Sequence, residues 1–355
     1  MKGVILHGGK GTRLRPLTFS GPKQLIPVAN KPVSQHVLED LVSSGITDVA
    51  IVLGDTFPQL VGEYYGDGSR FGARITYIYQ GEALGIAHAV KLAEDYVGDE
   101  PFVVCLGDNL IQGGISKYVE RFRGSGLDAM VLLKEVEDPR SFGVAEVENG
   151  RILRLVEKPR EPRSNLALIG VYFLTKKIFD VIRDLRPSWR GELEITDALQ
   201  GMVERGYSVG YAVHEGWWLD TGKKDDILLA NQLVLDEKAT RSIAEGVELR
   251  GSRVDGRAII SEEARIIDST IVGPAAIGRD AVIENSHVGP FTSVGPGVHL
   301  RNAKIDYSVV MEGSRMENVE LDRCLVGRNV VIRGREGNRS RLRVSLGDYS
   351  VLEVE

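Results

Sequence analysis

The sequence predicts two linked folds, an α/β domain with a mixed, mostly parallel sheet and a parallel β-helix after it. Through about residue 235, short β-branched runs alternate with amphipathic stretches, the rhythm of βαβ units. From about residue 244 that rhythm stops and single aliphatic residues recur every six positions among Gly, Asp, Ser and Asn, the period of a parallel β-helix. Length agrees: 355 residues, at about 150 per domain, ask for two or three domains.

The first strand is expected at Val4 to Leu6, then a helix from Val33 to Ser44 and a strand from Val49 to Leu53. Further strands are expected at Ile75 to Tyr79, Phe102 to Leu106, Ala129 to Leu133 and Gly170 to Leu174, with helices such as Ile86 to Tyr96 and Ile115 to Phe122 between them. A helix from Leu229 to Lys238 joins the parts, so the boundary is set near 240, giving domains 1–240 and 241–355. Beyond it, Ile271, Ile277 and Ile283 are six apart, as are Val288, Val294 and Leu300, with five-residue steps to Val288, Ile305 and Val310. Gly273, Gly278, Gly289, Gly295, Gly297 and Gly313 fall near the corners, where positive φ costs glycine little. An irregular antiparallel domain is the alternative, and the spacing loosens after Ile305.

Composition removes several function classes. With 43% hydrophobic and 26% charged residues the chain is ordinary for a folded protein. Its 44 Lys plus Arg against 50 Asp plus Glu leave −6, no global basic field for nucleic acid. The run Val4 to Leu6 is too short for a signal-peptide core, and no window is long and apolar enough to span a membrane. Cys105 and Cys324 make no CxxC pair, which points to a reducing compartment, the cytoplasm. The 41 glycines exceed the usual share of about 7% and divide between a loop near the N-terminus and the repeats.

That loop follows the first strand: His7, Gly8, Gly9, Lys10, Gly11, Thr12, Arg13, Leu14, Arg15, Pro16. A glycine-rich turn after a strand lets backbone N–H groups close on phosphate oxygens, and a guanidinium adds charge-assisted bonds. It fits neither the P-loop, lacking GK[ST], nor the Rossmann fingerprint, since Arg15-Pro16 interrupts any helix there. A plain glycine turn is the bland reading. Lys23, ten residues beyond Arg13, is a second candidate phosphate contact or a solvated lysine. Taken singly, Asp108 and Asp220 read as turn residues or helix caps, and Glu157-Lys158-Pro159 as an exposed charged pair ending a strand.

Read in order, these segments resemble one family. GGKGTRLRP followed by PKQLIPVANKP is similar to the signature of sugar-1-phosphate nucleotidylyltransferases. LGDN at Leu106, FGV at Phe142, EKP at Glu157, GELEITD at Gly191 and WLDTG at Trp218 match further motifs of that family. The whole chain, tail included, is most similar to its long, thymidylyl-transferring form. The resemblance implies a Rossmann-like nucleotidyltransferase domain followed by a left-handed β-helix, acting on dTTP and glucose 1-phosphate to give dTDP-glucose and pyrophosphate.

The resemblance also implies roles. Gly8, Gly9, Gly11, Thr12 and Arg13 would hold the triphosphate, with Lys23 near the leaving oxygens. Gln80 and Gly85 would meet the base. Lys158 would hold the sugar phosphate, and Gly143, Glu157, Val171 and Tyr172 the sugar, with Glu192 and Thr196 contributing. Asp108 and Asp220 would ligate Mg2+, and a homo-oligomer is expected. Two residues depart from the pattern: His7 stands where the family usually carries a small residue, and Leu84 where an acidic residue often precedes the glycine. Use of UTP or another sugar phosphate, an acyltransferase tail, and a regulatory subunit that has lost turnover are the alternatives; the tail's histidines, His287 and His299, lie in no acetyltransferase motif, which favours a structural tail. Against a loss of turnover, Arg13, Lys23, Asp108, Lys158 and Asp220 are all present.

Overall fold

The computed structural model describes residues 1–337 and 341–355. They form two compact units, residues 1–9 with 34–220, and residues 10–33 with 221–355.

The strands of the first half of the chain are β1 (Lys2–His7), β2 (Pro27–Val28), β3 (Lys31–Pro32), β4 (Asp48–Gly54), β5 (Arg74–Gly81), β6 (Phe102–Leu106) and β7 (Asn109–Ile111). They continue with β8 (Ala129–Glu135), β9 (Gly143–Glu148), β10 (Arg151–Glu157), β11 (Leu166–Leu174), β12 (Val209–Val213) and β13 (Trp218–Asp220). The helices are α1 (Val33–Ser43), α2 (Pro58–Tyr65), α3 (Ile86–Leu92), α4 (Glu94–Val97), α5 (Ser116–Arg123), α6 (Lys177–Ile182), α7 (Ile195–Glu204) and α8 (Lys224–Lys238).

The first unit is built on one sheet in the order β5-β4-β1-β6-β11-β9-β10, with β8 on β11 and β12 on β8. It is Rossmann-like and mixed: β4 and β6 flank β1 in parallel, whereas β11 runs antiparallel to β6. Val4, Ile5, Ile51, Val103 and Val104 are buried, as continuous apolar runs covered on both faces should be. The chain moves from β1 outward to β5, then returns to the other side of β1 with β6, so the order reverses between β1 and β6. The carboxyl ends of strands at such a reversal are where open α/β sheets bind ligands.

Every expected strand is present, the one ending at Leu174 being the second half of the longer β11. The helix expected from Ile86 to Tyr96 is instead two, because Ala93 at φ −86°, ψ 1° leaves helical geometry between α3 and α4.

The second unit carries three parallel sheets of a left-handed β-helix. Two have seven strands, from Ser242–Ile243 to Ser345–Leu346 and from Glu248–Arg250 to Val351–Val354, and one has six, from Arg253–Asp255 to Arg341–Leu342. Inward residues stack in register: Ile260, Ile277, Val294, Val310 and Val326 on the first sheet, Ile266, Ile283, Leu300, Met316 and Ile332 on the second. The third stack is Ile271, Val288, Ile305 and Leu321. The six-residue period is thus one inward residue per face, with one five-residue step in each of the early coils and two in each coil from Val294 to Val326. From Val294 to Val326 the in-register step is sixteen rather than seventeen residues, and from Val326 to Leu346 it is twenty, which is why the spacing loosens without ending the helix.

The corner glycines need correction. Gly289, Gly297 and Gly313 have positive φ, but Gly273, Gly278 and Gly295 do not, and many left-handed corners belong to Asp268, Asp280, Asn285, Asn302, Asn318 and Asn329. Gly278 is required by proximity instead: a Cβ there would stand 2.5 Å from the Pro296 nitrogen of the next coil.

Candidate active site

Asp108 follows β6 at the sheet reversal, where the Gly107 N–H donates to Leu6 O of β1 at 3.0 Å. More than a hundred residues later, β13 pairs antiparallel with β7 and sets Asp220 opposite Asn109. Asp108, the turn residue just before β7, is therefore the chain neighbour of the residue opposite Asp220, although the two aspartates are distant in sequence. Asn109 ties them to the scaffold: its Nδ2 donates to Asp108 Oδ1 at 3.1 Å, and its Oδ1 accepts from Trp218 Nε1 at 2.8 Å. Phe142 braces the Trp218 ring edge-on, centroids 5.0 Å apart. Asp108 is 7% exposed.

Among the described residues no cluster of three His, Cys, Asp or Glu forms an all-protein metal cage. Two carboxylates fit a hard cation that completes its shell with water and phosphate oxygens.

Beside Asp108, His7 ends β1. It is buried, its ring meets Tyr65 edge-on at 6.1 Å, and neither ring nitrogen has a hydrogen-bond partner among the described residues. Burial pushes its pKa down to about 3 against the opposing charge of Asp108, so the imidazole is neutral at ordinary pH.

A second group surrounds Glu157, the last residue of β10. Thr196 Oγ1, in the first turn of α7, donates to Glu157 Oε2 at 2.6 Å, and Lys158 Nζ and Arg190 Nη1 each stand 3.6 Å from Oε1. Arg190 also pairs with Glu192 at 2.9 Å and with buried Glu194 at 3.1 Å. Burial raises the Glu194 carboxyl above its ordinary value. Gly143 belongs here for a steric reason: a Cβ would come within 2.6 Å of Thr196 Oγ1 and 3.2 Å of Glu157 Oε2. Lys158 sits at φ 42°, unusual for a residue with a side chain, fixed by its N–H to Phe142 O at 3.0 Å. Val171 and Tyr172 are buried in β11. Burial, then Glu157, pushes the Tyr172 phenol up.

At the end of β5, Gln80 Nε2 donates to Gly85 O at 3.2 Å and faces His88 Nδ1 at 3.2 Å. Gly85, at φ 105°, could carry no Cβ, which would stand 2.3 Å from Leu193 O. The close approach that demands this glycine is thus already made by the Leu193 backbone. Leu84 joins the same contact, its O accepting from Leu193 N at 2.8 Å.

Gly8 and Gly9 leave β1 within the first unit, whereas Gly11, Thr12, Arg13 and Lys23 belong to the second. Gly11, at φ 59°, caps a single 3-10 turn, Thr12–Leu14, and its O accepts from Thr18 Oγ1 at 2.7 Å. No long helix begins there, as Pro16 forecasts. Lys23 starts another short turn, Lys23–Leu25. Burial raises the Asp226 carboxyl near the start of α8, and the Arg13 charge works against that rise.

Arg190, Trp218 and Gly170 carry no role in the sequence reading. Gly170 was visible only as part of a strand, yet a Cβ there would meet Leu106 at 2.9 Å and Asn109 at 3.2 Å. The irregular register of β11 against β8 between Leu168 and Tyr172 accompanies it.

A nucleotidyl transferase family model matches residues 2–237. A glucose-1-phosphate thymidylyltransferase of Streptomyces antibioticus is 45% identical over 358 residues, covering all of both chains. A low-salt glycan biosynthesis nucleotidyltransferase, Agl11, of Haloferax volcanii is 50% identical over 314 residues, 88% of this chain and 87% of its own. Among solved structures, one from Bacillus anthracis in complex with sucrose, provisionally named a glucose-1-phosphate thymidylyltransferase, is 43% identical. It covers 66% of this chain and 94% of its own, with a TM-score of 0.62.

Proposed function

The chain belongs to the nucleotidyl transferase family, and from that premise we propose that it is a glucose-1-phosphate thymidylyltransferase of the long form. It joins dTTP and glucose 1-phosphate into dTDP-glucose and releases pyrophosphate. The observation that carries the chemistry is the β7–β13 register, which brings Asp220 beside Asp108 at the carboxyl end of the sheet. The full-length likeness to a thymidylyltransferase supports the choice of substrates.

The reaction needs no protein nucleophile. The second pKa of a phosphate lies near 6, so the sugar phosphate is already mostly dianionic at neutral pH and needs no general base. What remains is to bring two anions into line and to stabilise charge gathering on the departing pyrophosphate. Arg13 and the amides of Gly8, Gly9, Gly11 and Thr12 hold the triphosphate, with Lys23 at the leaving oxygens. Lys158 holds the sugar phosphate. Glu157, fixed by Thr196, accepts from sugar hydroxyls beside Gly143, Val171 and Tyr172. Gln80 reads the pyrimidine edge near Gly85. Asp108 and Asp220 would hold Mg2+, which when bound neutralises phosphate charge. Residues 1–240 are the catalytic domain and 241–355 the β-helix, in a cytoplasmic homo-oligomer.

The test is incubation of the purified protein with dTTP, glucose 1-phosphate and MgCl2. The reading expects dTDP-glucose by mass spectrometry and none after chelation of the metal; no sugar nucleotide in either arm contradicts it.

A further inference from the structure

The β-helical unit includes residues 10–33, the segment carrying Gly11, Thr12, Arg13 and Lys23 and far from the repeats in sequence. That segment is fastened at two places. The first is the turn Ala29-Asn30 between β2 and β3, where φ is 49° and 62°, a conformation disfavoured for residues with side chains. Asn231 of α8 supports it: its Oδ1 accepts from the Ala29 N–H at 2.9 Å and from Ser293 Oγ at 2.6 Å, while its Nδ2 donates to Phe291 O at 3.0 Å. Asn30 Nδ2 adds a bond to Val294 O at 2.8 Å. Asn231 is 1% exposed, and its carboxamide, with two donors and an acceptor oxygen, joins loop, helix and coil at one point.

The second place is the last coil. Ser20 Oγ donates to Asp348 Oδ2 at 2.7 Å, and the other oxygen of Asp348 accepts from the Arg328 N–H at 2.7 Å. A Cβ at Gly347 would stand 3.1 Å from Pro16 Cβ. The two anchors lie on or beside one sheet, at strands Thr292–Val294 and Ser345–Leu346, which are three steps apart in its order. At about 4.8 Å per step that is roughly 14 Å. Four successive outward positions of this sheet, Ala276, Ser293, Val309 and Leu325, are buried. Lys23 lies between the anchors in sequence, and Arg13 lies just before Pro16.

We propose that the β-helix is the template that sets the shape of the Arg13–Lys23 loop, and that Asn231 is a positioning residue for triphosphate binding. The proposal rests on the assignment of Arg13 and Lys23 to the phosphates. Asn231→Leu keeps the number and branching of side-chain heavy atoms but leaves the Ala29 N–H and Ser293 hydroxyl without their acceptor.

The test uses the full chain and three variants, Asn231→Leu, Ser20→Ala and Arg13→Ala, with hydrogen exchange and steady-state kinetics. Asn231→Leu is expected to speed amide exchange in residues 16–31 and raise the KM for dTTP about tenfold, with that for glucose 1-phosphate unchanged. Ser20→Ala, at the milder anchor, should do the same by a few-fold and keeps the test usable if Asn231→Leu does not fold. Unchanged exchange, faster exchange with an unchanged dTTP KM, or an equal rise in both KM values overturns the proposal. If Arg13→Ala itself leaves the dTTP KM at the wild-type value, the phosphate assignment has failed, and this proposal falls with it.

Discussion

Asp108 and Asp220 form no self-sufficient metal cage, so each should be needed. Asp108→Asn or Asp220→Asn is expected to lower the metal-dependent rate by about a hundredfold or more while the circular dichroism spectrum is retained. Near-normal turnover in both would remove them from the mechanism. At the proposed sugar site, Thr196→Val deletes the 2.6 Å bond that fixes Glu157. A hydrogen bond to a charged group contributes about 1.5–3 kcal/mol, so the KM for glucose 1-phosphate should rise about tenfold with little change for dTTP. Steady-state kinetics with each substrate varied in turn checks this. Asp108, Glu157 and Lys158 stand out in the sequence as candidates because they lie in short runs beside strand ends. Arg190, its guanidinium shared among Glu157, Glu192 and Glu194, does not, since its partnership with Glu157 exists only once β10 and the loop before α7 meet.

Elements were legible where periodicity was clean. β1, β4 and β6 announce themselves as unbroken apolar runs, and the stacked aliphatics of the coils give the six-residue beat. β7 and β13, three residues each, carry no such pattern, and their register, which joins the two aspartates, follows from tertiary pairing alone. Glycines divide by the same logic: the left-handed turn at Gly11 can be guessed locally, whereas Gly85 and Gly278 answer to backbone far along the chain. Gly85→Ala should therefore destabilise the protein by about 1–3 kcal/mol, seen as a lowered denaturation midpoint, because its Cβ would meet Leu193 O at 2.3 Å. An unchanged midpoint would show that the Leu193 segment can move away.

Across the whole molecule, the boundary read near residue 240 reflects a change of sequence texture. The grouping of residues 10–33 with the β-helix is invisible to that reading, because Asn231 to Ala29 and Asp348 to Ser20 are bonds between segments with unrelated local patterns. The coil core is continuous, and Ile283 is 0% exposed between Ile266 and Leu300. Ile283→Ala should cost about 2–5 kcal/mol of β-helix stability, measured by chemical denaturation; a loss well below that range would mean the coil collapses onto the cavity.

Thymidylyl transfer to glucose 1-phosphate is the central claim, and selectivity among pyrimidine nucleotides rests on a few contacts of about 1–3 kcal/mol. The most direct measurement compares dTTP and UTP side by side, with glucose 1-phosphate and magnesium held constant, and follows pyrophosphate release. Larger kcat/KM with dTTP is the predicted result; larger kcat/KM with UTP, or no release with either, would contradict it.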